Sequence, residues 1–177
     1  GHAFFDGGAW NGRRALAVWS PGGLAFGAIE PMRDGIFTRG VLLDVARARG
    51  LPWLEADEGV SVADLERAEA LAGVRVASGD AIVVRVGLAA REAVQGEEDP
   101  ARRAGLLPDC LPWLHDREVA VYGGDCIEQL PSGYQRVPAP LHQVGLVAMG
   151  LVMLDNPAVE DLAAAVAEEG RSEFLLT

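Results

Sequence analysis

A histidine and an acidic residue stand at opposite ends of the longest apolar run in this chain. His142 lies just before the run at residues 144–154, and Asp155 follows it directly. Imidazole and carboxylate groups can bind a metal ion or move a proton, but burying them is costly unless each has a partner. The two residues therefore form a candidate site only if the fold brings them together.

The separation of His142 from Asp155 depends on the secondary structure between them. One straight helix would place them about 20 Å apart, at 1.5 Å per residue. If a helix over Leu141–Met149 instead ends at Gly150 in a left-handed cap, a strand over residues 151–155 returns about 13 Å, roughly what the helix advanced. The two side chains then converge. In the alternative, which spacing alone favours, the histidine lies on the surface and the polar residues after the run cap the next helix.

Other residues with suitable chemistry lie at the start of the chain and after a predicted strand. Asp125 follows Gly123-Gly124 at the carboxyl end of that strand, where open α/β sheets often bind ligands, although an Asx turn is the commoner use. His2 stands near the first residue, in a position that is usually mobile. The segment after it is rich in glycine and resembles a loop held by three aromatic anchors, Phe4, Phe5 and Trp10.

Composition limits the classes of function. The 177 residues carry a net charge of −11, and no basic tract is present, which argues against nucleic acid or an anionic membrane as a partner. The two cysteines have neither CxxC spacing nor a zinc-site histidine nearby. The longest apolar run is too short to span a bilayer, and no secretory signal is visible. A single cytoplasmic domain with a small-molecule ligand is therefore expected.

The hydrophobic pattern predicts an α/β domain with a mixed sheet rather than a regular doubly wound fold. The segment 93–103 is acidic and without pattern, which indicates an exposed loop or lid. Strands are predicted at residues 41–45, 74–76, 81–86, 118–122, 151–155 and 173–176. Helices are predicted at residues 61–72, 111–114, 141–149 and 156–167, the first with a Ser61/Asp64 capping box and the last with Asn156 as its cap.

The order of short motifs along the chain is more specific than any one of them. It resembles the cyclase family of metal-dependent hydrolases, which includes the bacterial kynurenine formamidases. The motifs are His2 with Phe5-Asp6-Gly7 and Asn11-Gly12, Arg39-Gly40-Val41-Leu42-Leu43-Asp44, Asp64-Leu65-Glu66, Gly79-Asp80-Ala81-Ile82-Val83-Val84-Arg85, Trp113-Leu114 with Val119-Ala120-Val121, Gly124-Asp125, Pro140-Leu141-His142 and Leu154-Asp155-Asn156.

This resemblance implies a swivelling β/β/α fold over residues 1–177 and a hydrolase that uses zinc or manganese. Such enzymes open an amide, lactone or cyclic imide, as when N-formylkynurenine loses its formyl group. A homodimer or higher homo-oligomer is also implied. The family's metal motif reads H-x3-H-x-D-x3-H, and the printed sequence contains only its last histidine, as His2. The domain is therefore expected to lack that motif and the family's closing glycine-rich segment.

The resemblance also assigns roles to individual residues. His2 would be the catalytic acid or base, and His142 with Asp155 would bind a metal ion, although the family places the acid one residue earlier, at Leu154. Asp125 would be a weaker supporting residue. The aromatic residues Phe4, Phe5 and Trp10 would hold an aryl substrate or only anchor their loop. With so few ligands, the 177-residue form is expected to bind metal weakly or not at all. The competing hypothesis is a binding or assembly module that keeps the fold without the metal site.

Overall fold

The computed structural model describes residues 4–177 and shows a mixed α/β fold, as the sequence predicts. Its strands are β1 (Phe4–Phe5), β2 (Gly8–Ala9), β3 (Arg13–Arg14), β4 (Trp19–Ser20), β5 (Gly23–Leu24), β6 (Thr38–Asp44), β7 (Gly59–Val60), β8 (Ala81–Arg85), β9 (Gly105–Leu106), β10 (Val121–Gly124), β11 (Val152–Asp155) and β12 (Glu173–Leu176). Its helices are α1 (Ala15–Val18), α2 (Val45–Ala48), α3 (Val62–Ala72), α4 (Leu88–Gln95), α5 (Cys110–Asp116) and α6 (Glu160–Glu169), with 3₁₀ turns at Trp10–Gly12 and Glu30–Met32 and a π-helix at Leu141–Met149.

A five-stranded sheet in the order β11-β10-β8-β6-β12 organises the core. The first four strands are parallel to one another, and β12 pairs antiparallel with β6. Strand β8 is rich in β-branched residues and lies at the centre of the sheet with four of its five residues buried. Parallel strands end at the same edge of a sheet, so the segments after β8, β10 and β11 lie near one another.

Helix α3 has the local signals that the sequence predicts. Ser61 accepts a hydrogen bond from the backbone N–H of Asp64, and the Asp64 carboxylate accepts one from the backbone N–H of Ser61 in return. Gly73 ends the helix at a positive φ of 65°. Arg49 donates to both oxygens of Asp64, so the cap also ties α3 to the end of α2.

Two predicted elements differ from the structure, one because Glu69 binds the backbone of the segment and one because of the backbone conformation of Asn156. Residues 74–76 form no strand, since the N–H of Val76 donates to the Glu69 side chain and that of Val74 to the Glu69 carbonyl. The last helix begins at Glu160 rather than near Asn156, whose φ of 49° is left-handed and does not suit a helix cap. The helix ends at Glu169, and Gly170 with a φ of 64° is its C-cap.

The predicted loop or lid at residues 93–103 is more ordered than its composition suggests. Helix α4 continues to Gln95, and the Glu98 side chain after it is only 7% exposed and pairs with Arg91. An acidic side chain is stable at that depth only with such a partner. The segment is therefore anchored to the body of the domain.

The first described residues form short hairpins rather than an irregular loop. Strands β1, β2 and β3 make a small antiparallel sheet. Strands β1 and β2 and the 3₁₀ turn at Trp10–Gly12 pack against the π-helix. Among residues 4–177, no helix combines the length and the apolar character needed to cross a membrane.

Candidate active site

His142 and Asp155 meet across the hairpin formed by the π-helix and β11. Nε2 of His142 lies 3.3 Å from Oδ2 of Asp155. Gly150 ends the helix with φ 69° and ψ 23°, and β11 then runs back toward the start of the helix. This is the reversal that one of the two sequence hypotheses requires, and the two side chains converge as that hypothesis predicts, although spacing alone favours the alternative. The helix is of the rare π type, a form often found at functional sites.

Glu128 is a residue of this site that sequence reasoning missed. Its Oε1 lies 2.7 Å from Nδ1 of His142, its Oε2 lies 3.0 Å from the same atom, and the backbone N–H of His142 also donates to Oε2. The Glu128 side chain is only 6% exposed. In the sequence, Glu128 is only an acidic residue in the segment after strand β10. Its spacing from His142 fits no helix or strand period, so the pattern does not predict their contact.

The two carboxylates determine how the imidazole is used. Glu128 can only accept when ionised, so Nδ1 of His142 carries a proton, and Nε2 faces the oxygen of Asp155. Two acceptors facing each other repel, so this position requires a cation between them, either a proton or a metal ion. In the proton form, the hydrogen bond to Glu128 raises the pKa of His142 above its usual value near 6.5 against the opposing effect of burial, and Asp155 adds to the increase.

A cavity of about 410 Å³ opens beside this histidine. Of the three aromatic residues predicted to form a substrate wall, Phe4 lines this cavity. Trp10 stacks on Phe26 with ring centroids 5.8 Å apart, and its indole covers Gly150 so closely that a Cβ there would overlap the ring. These contacts are those of a loop anchor, and contact of Trp10 with an aryl substrate stays a prediction. Phe5 is half-buried and not among the lining residues, which are Phe4, Arg103, Ile127, Glu128, Leu130, Pro138, Ala139, His142, Gln143, Asp155 and Asn156.

Asp125 has a different position from the one expected of a supporting residue for the metal. Its carboxylate accepts hydrogen bonds from the backbone N–H groups of Val86, Gly87 and Leu88, where β8 passes into α4. Burial raises the pKa of Asp125, although these three donors favour its ionised form. The described lining of the cavity does not include it. Its observed contacts therefore hold the strand-to-helix turn.

Two of the described side chains have the separation that two ligands of one metal ion would have. Two ligands at zinc distances of about 2.0–2.2 Å in tetrahedral geometry are about 3.3–3.6 Å apart, and the His142 and Asp155 atoms lie 3.3 Å apart, at the lower end of that range. A carboxylate on the far nitrogen of a metal-binding histidine is also common, and Glu128 occupies that position. Within residues 4–177, however, no group of three or more His, Cys, Asp or Glu could hold an ion. His2, the predicted acid or base, lies outside the described residues.

Comparison with known proteins identifies what the chain resembles. The Cyclase family model matches residues 15–129, more than half of the chain. A crystal structure of a novel cyclase is 27% identical with a TM-score of 0.80, and the match covers 97% of this chain and 58% of that one. The predicted fold is thereby confirmed. No curated protein matches the chain.

More distant structures share the fold. Isatin hydrolase A from Labrenzia aggregata is 16% identical with a TM-score of 0.55, and the match covers 72% of this chain and 50% of that one. A potential metal-dependent hydrolase with cyclase activity is 15% identical with a TM-score of 0.50, over 83% of this chain and 60% of that one. The chain thus spans between half and three fifths of the length of these structures.

Proposed function

Because the chain belongs to the cyclase family, we propose that it acts as a hydrolase on an amide, lactone or cyclic imide bond of a small molecule. The observation that carries this proposal is the array Glu128–His142–Asp155 on the wall of one cavity. Structures with the same fold include an isatin hydrolase and a potential metal-dependent hydrolase, which supports the reaction class. An aryl formamide is the first substrate to test.

We propose that His142 and Asp155 hold a zinc or manganese ion together with ligands outside residues 4–177. Such an ion, when bound by these residues, would lower the pKa of bound water and polarise the carbonyl that is attacked. Glu128 keeps the proton on Nδ1 of His142, so the lone pair of Nε2 stays directed toward Asp155. Without that fixed ring, the nitrogen would lose its orientation toward the cation position.

In the reaction, the oxygen of one water molecule bonds to the carbonyl carbon, and the carbon–nitrogen or carbon–oxygen bond breaks. His2 would take a proton from the water and return it to the departing nitrogen or oxygen, a role suited to an imidazole that titrates near neutral pH. The products are a carboxylate and an amine from a formamide, an amide from a cyclic imide, or an alcohol from a lactone, and the second proton of the water is released as the carboxylic acid ionises. Phe4, on the cavity wall, would contact an aryl group of the substrate.

Metal analysis and a substrate panel test this proposal. We expect the protein as its gene encodes it to bind about one zinc or manganese ion per subunit and to hydrolyse an aryl formamide, a lactone or a cyclic imide. His142→Ala should reduce the rate by at least about 100-fold. The matched control His115→Ala changes an imidazole that is 72% exposed and should leave the rate unchanged. A protein without metal and without activity on the whole panel would contradict the proposal.

The second candidate function is a binding or assembly module without catalysis. One observation favours it: the described residues contain no complete set of three metal ligands, whereas a zinc site usually needs three from the protein. This candidate predicts small-molecule binding without turnover. By the family resemblance we also propose a homodimer or higher homo-oligomer, which light scattering would test.

A further inference from the structure

Arg103 gives this acidic cavity a fixed positive charge. It is the only arginine among the described residues that line the cavity, where Glu128 and Asp155 supply negative charge. The chain as a whole carries a net charge of −11. An anion would therefore be repelled from this region unless a cation were placed to receive it.

The backbone around Arg103 holds the residue in place. Its N–H donates to the carbonyl of Leu130 at 3.0 Å, and the N–H of Leu130 donates back at 3.0 Å. Leu130 is two residues beyond Glu128, so this bridge connects the arginine to the segment that orients the histidine. The backbone of Arg103 is thus fixed relative to the proposed reaction centre.

The side chain of Arg103 is only partly satisfied by its neighbour Glu98. Nε of Arg103 lies 3.5 Å from Oε2 of Glu98, which is too far for a good hydrogen bond, while the same carboxylate already binds Arg91 closely. Within residues 4–177, Nε is buried and has no hydrogen-bond partner. The side chain as a whole remains 38% exposed. Two arginines share one buried carboxylate, which leaves a positive charge in excess.

We propose that Arg103 binds the carboxylate of an aryl ligand in this cavity, and so holds the product of a hydrolysis that leaves the new carboxylate on the larger fragment. The part of this inference that concerns the reaction product rests on the proposed hydrolase function, whereas carboxylate binding by Arg103 does not. A planar guanidinium matches a carboxylate with two parallel hydrogen bonds, a geometry that lysine cannot provide. Lactones and cyclic imides meet the condition, because ring opening keeps the new carboxylate attached.

Binding of benzoate and benzamide to the 177-residue chain tests the inference without any turnover. The two probes have nearly the same shape and differ in charge. Calorimetry should show benzoate binding at least about tenfold more tightly than benzamide, and Arg103→Gln should remove most of that preference. Arg102→Gln is the matched control, since Arg102 is 60% exposed and pairs with Asp57 at the surface. It should bind both probes like the unmodified chain.

A second variant covers the case in which Arg103→Gln does not fold. Arg103→Lys keeps the charge beside Glu98 but loses the paired donors, so its affinity for benzoate should fall several-fold while thermal unfolding stays close to that of the unmodified chain. Equal binding of the two probes by the unmodified chain, or unchanged benzoate affinity in both variants, would overturn the inference. If benzoate selectivity depends on Arg103 and no substrate is hydrolysed, the hydrolase proposal is wrong and carboxylate binding by Arg103 still holds. If hydrolysis occurs and the variants bind benzoate normally, the role of Arg103 fails alone.

Discussion

Nδ1 of His142 lies 2.7 Å from Oε1 of Glu128, and the ring's other nitrogen faces Asp155 at 3.3 Å. The buried carboxylate of Glu128 therefore fixes the orientation of the imidazole. The carboxylate of Asp155, which is about half-exposed, lies at the other ring nitrogen. The backbone between His142 and Asp155 reverses at Gly150 to make this possible. The relationship links the local folding of the hairpin to the chemistry proposed for it.

Removing the charge of Glu128 should change both the titration and the proposed activity. Because Glu128 raises the pKa of His142, the variant Glu128→Gln should shift that pKa down, as measured by NMR titration of the imidazole. Hydrolysis should fall about 10- to 100-fold, the usual effect of losing a carboxylate behind a metal-binding histidine. Asp116→Asn, beside the exposed His115, is the control and should leave both unchanged. An unaltered His142 titration in Glu128→Gln would contradict the assignment.

Gly150 should be far less replaceable than a second glycine with nearly the same backbone. Gly150 and Gly170 have φ values of 69° and 64°, but a Cβ at Gly150 would overlap the Trp10 indole, while none of the described atoms outside the immediate backbone lies within 4 Å at Gly170. Gly170→Ala should cost about 1–2 kcal/mol in unfolding free energy for its left-handed backbone. Gly150→Ala should cost at least about 1 kcal/mol more and alter tryptophan fluorescence. Equal losses in urea unfolding would show that Trp10 does not pack there.

The Asp64–Arg49 pair should make stability decline at acid pH. Hydrogen bonds from Arg49 hold the pKa of Asp64 well below its usual value near 3.9, and Ser61 adds to this against the effect of burial. The folded pKa is lower than the unfolded one, so this contribution is complete above about pH 5 and is lost as the pH falls toward the folded pKa. Asp64→Asn should be less stable at neutral pH and should lose less on acidification. Urea unfolding should be measured for both proteins between about pH 5 and the acid limit of folding. An equal loss of unfolding free energy in the two proteins over that range would contradict the assignment.

Replacing the buried Asp125 should lower the unfolding free energy more than replacing an exposed aspartate does. Its carboxylate accepts three backbone N–H groups while 7% exposed. Asp125→Ala leaves those donors without their acceptor and should lower the unfolding free energy by about 2–4 kcal/mol. Asp161→Ala, in the exposed first turn of α6, should change it by less than about 1 kcal/mol. A small effect at Asp125 would show that water or other groups replace the carboxylate.

Sequence reasoning found the features that depend on neighbours along the chain. The capping box of Ser61 and Asp64 and the glycine reversal at Gly150 are local signals, and each placed its element correctly. The convergence of His142 with Asp155 follows from that reversal, although spacing alone favours the alternative in which the histidine lies on the surface.

The features that the sequence did not predict depend on contacts between residues whose spacing along the chain follows neither helix nor strand periodicity. Glu128 reaches His142 through an irregular segment after β10, so no helical or strand spacing connects the two residues. Arg103 belongs to a segment whose composition suggests an exposed loop, yet the buried Glu98 anchors it. The predicted strand at residues 74–76 fails for a similar reason, since Glu69 binds its backbone from a neighbouring helix. Tertiary contacts decided each of these cases.

Anomalous diffraction from crystals of the complete protein grown with zinc or manganese tests the central claim most directly. The account predicts one strong peak within about 2.2 Å of both Nε2 of His142 and an oxygen of Asp155, with Glu128 still bound to Nδ1. A fully occupied ion elsewhere in the protein, or a His142 ring turned away from Asp155 in the presence of metal, would contradict it.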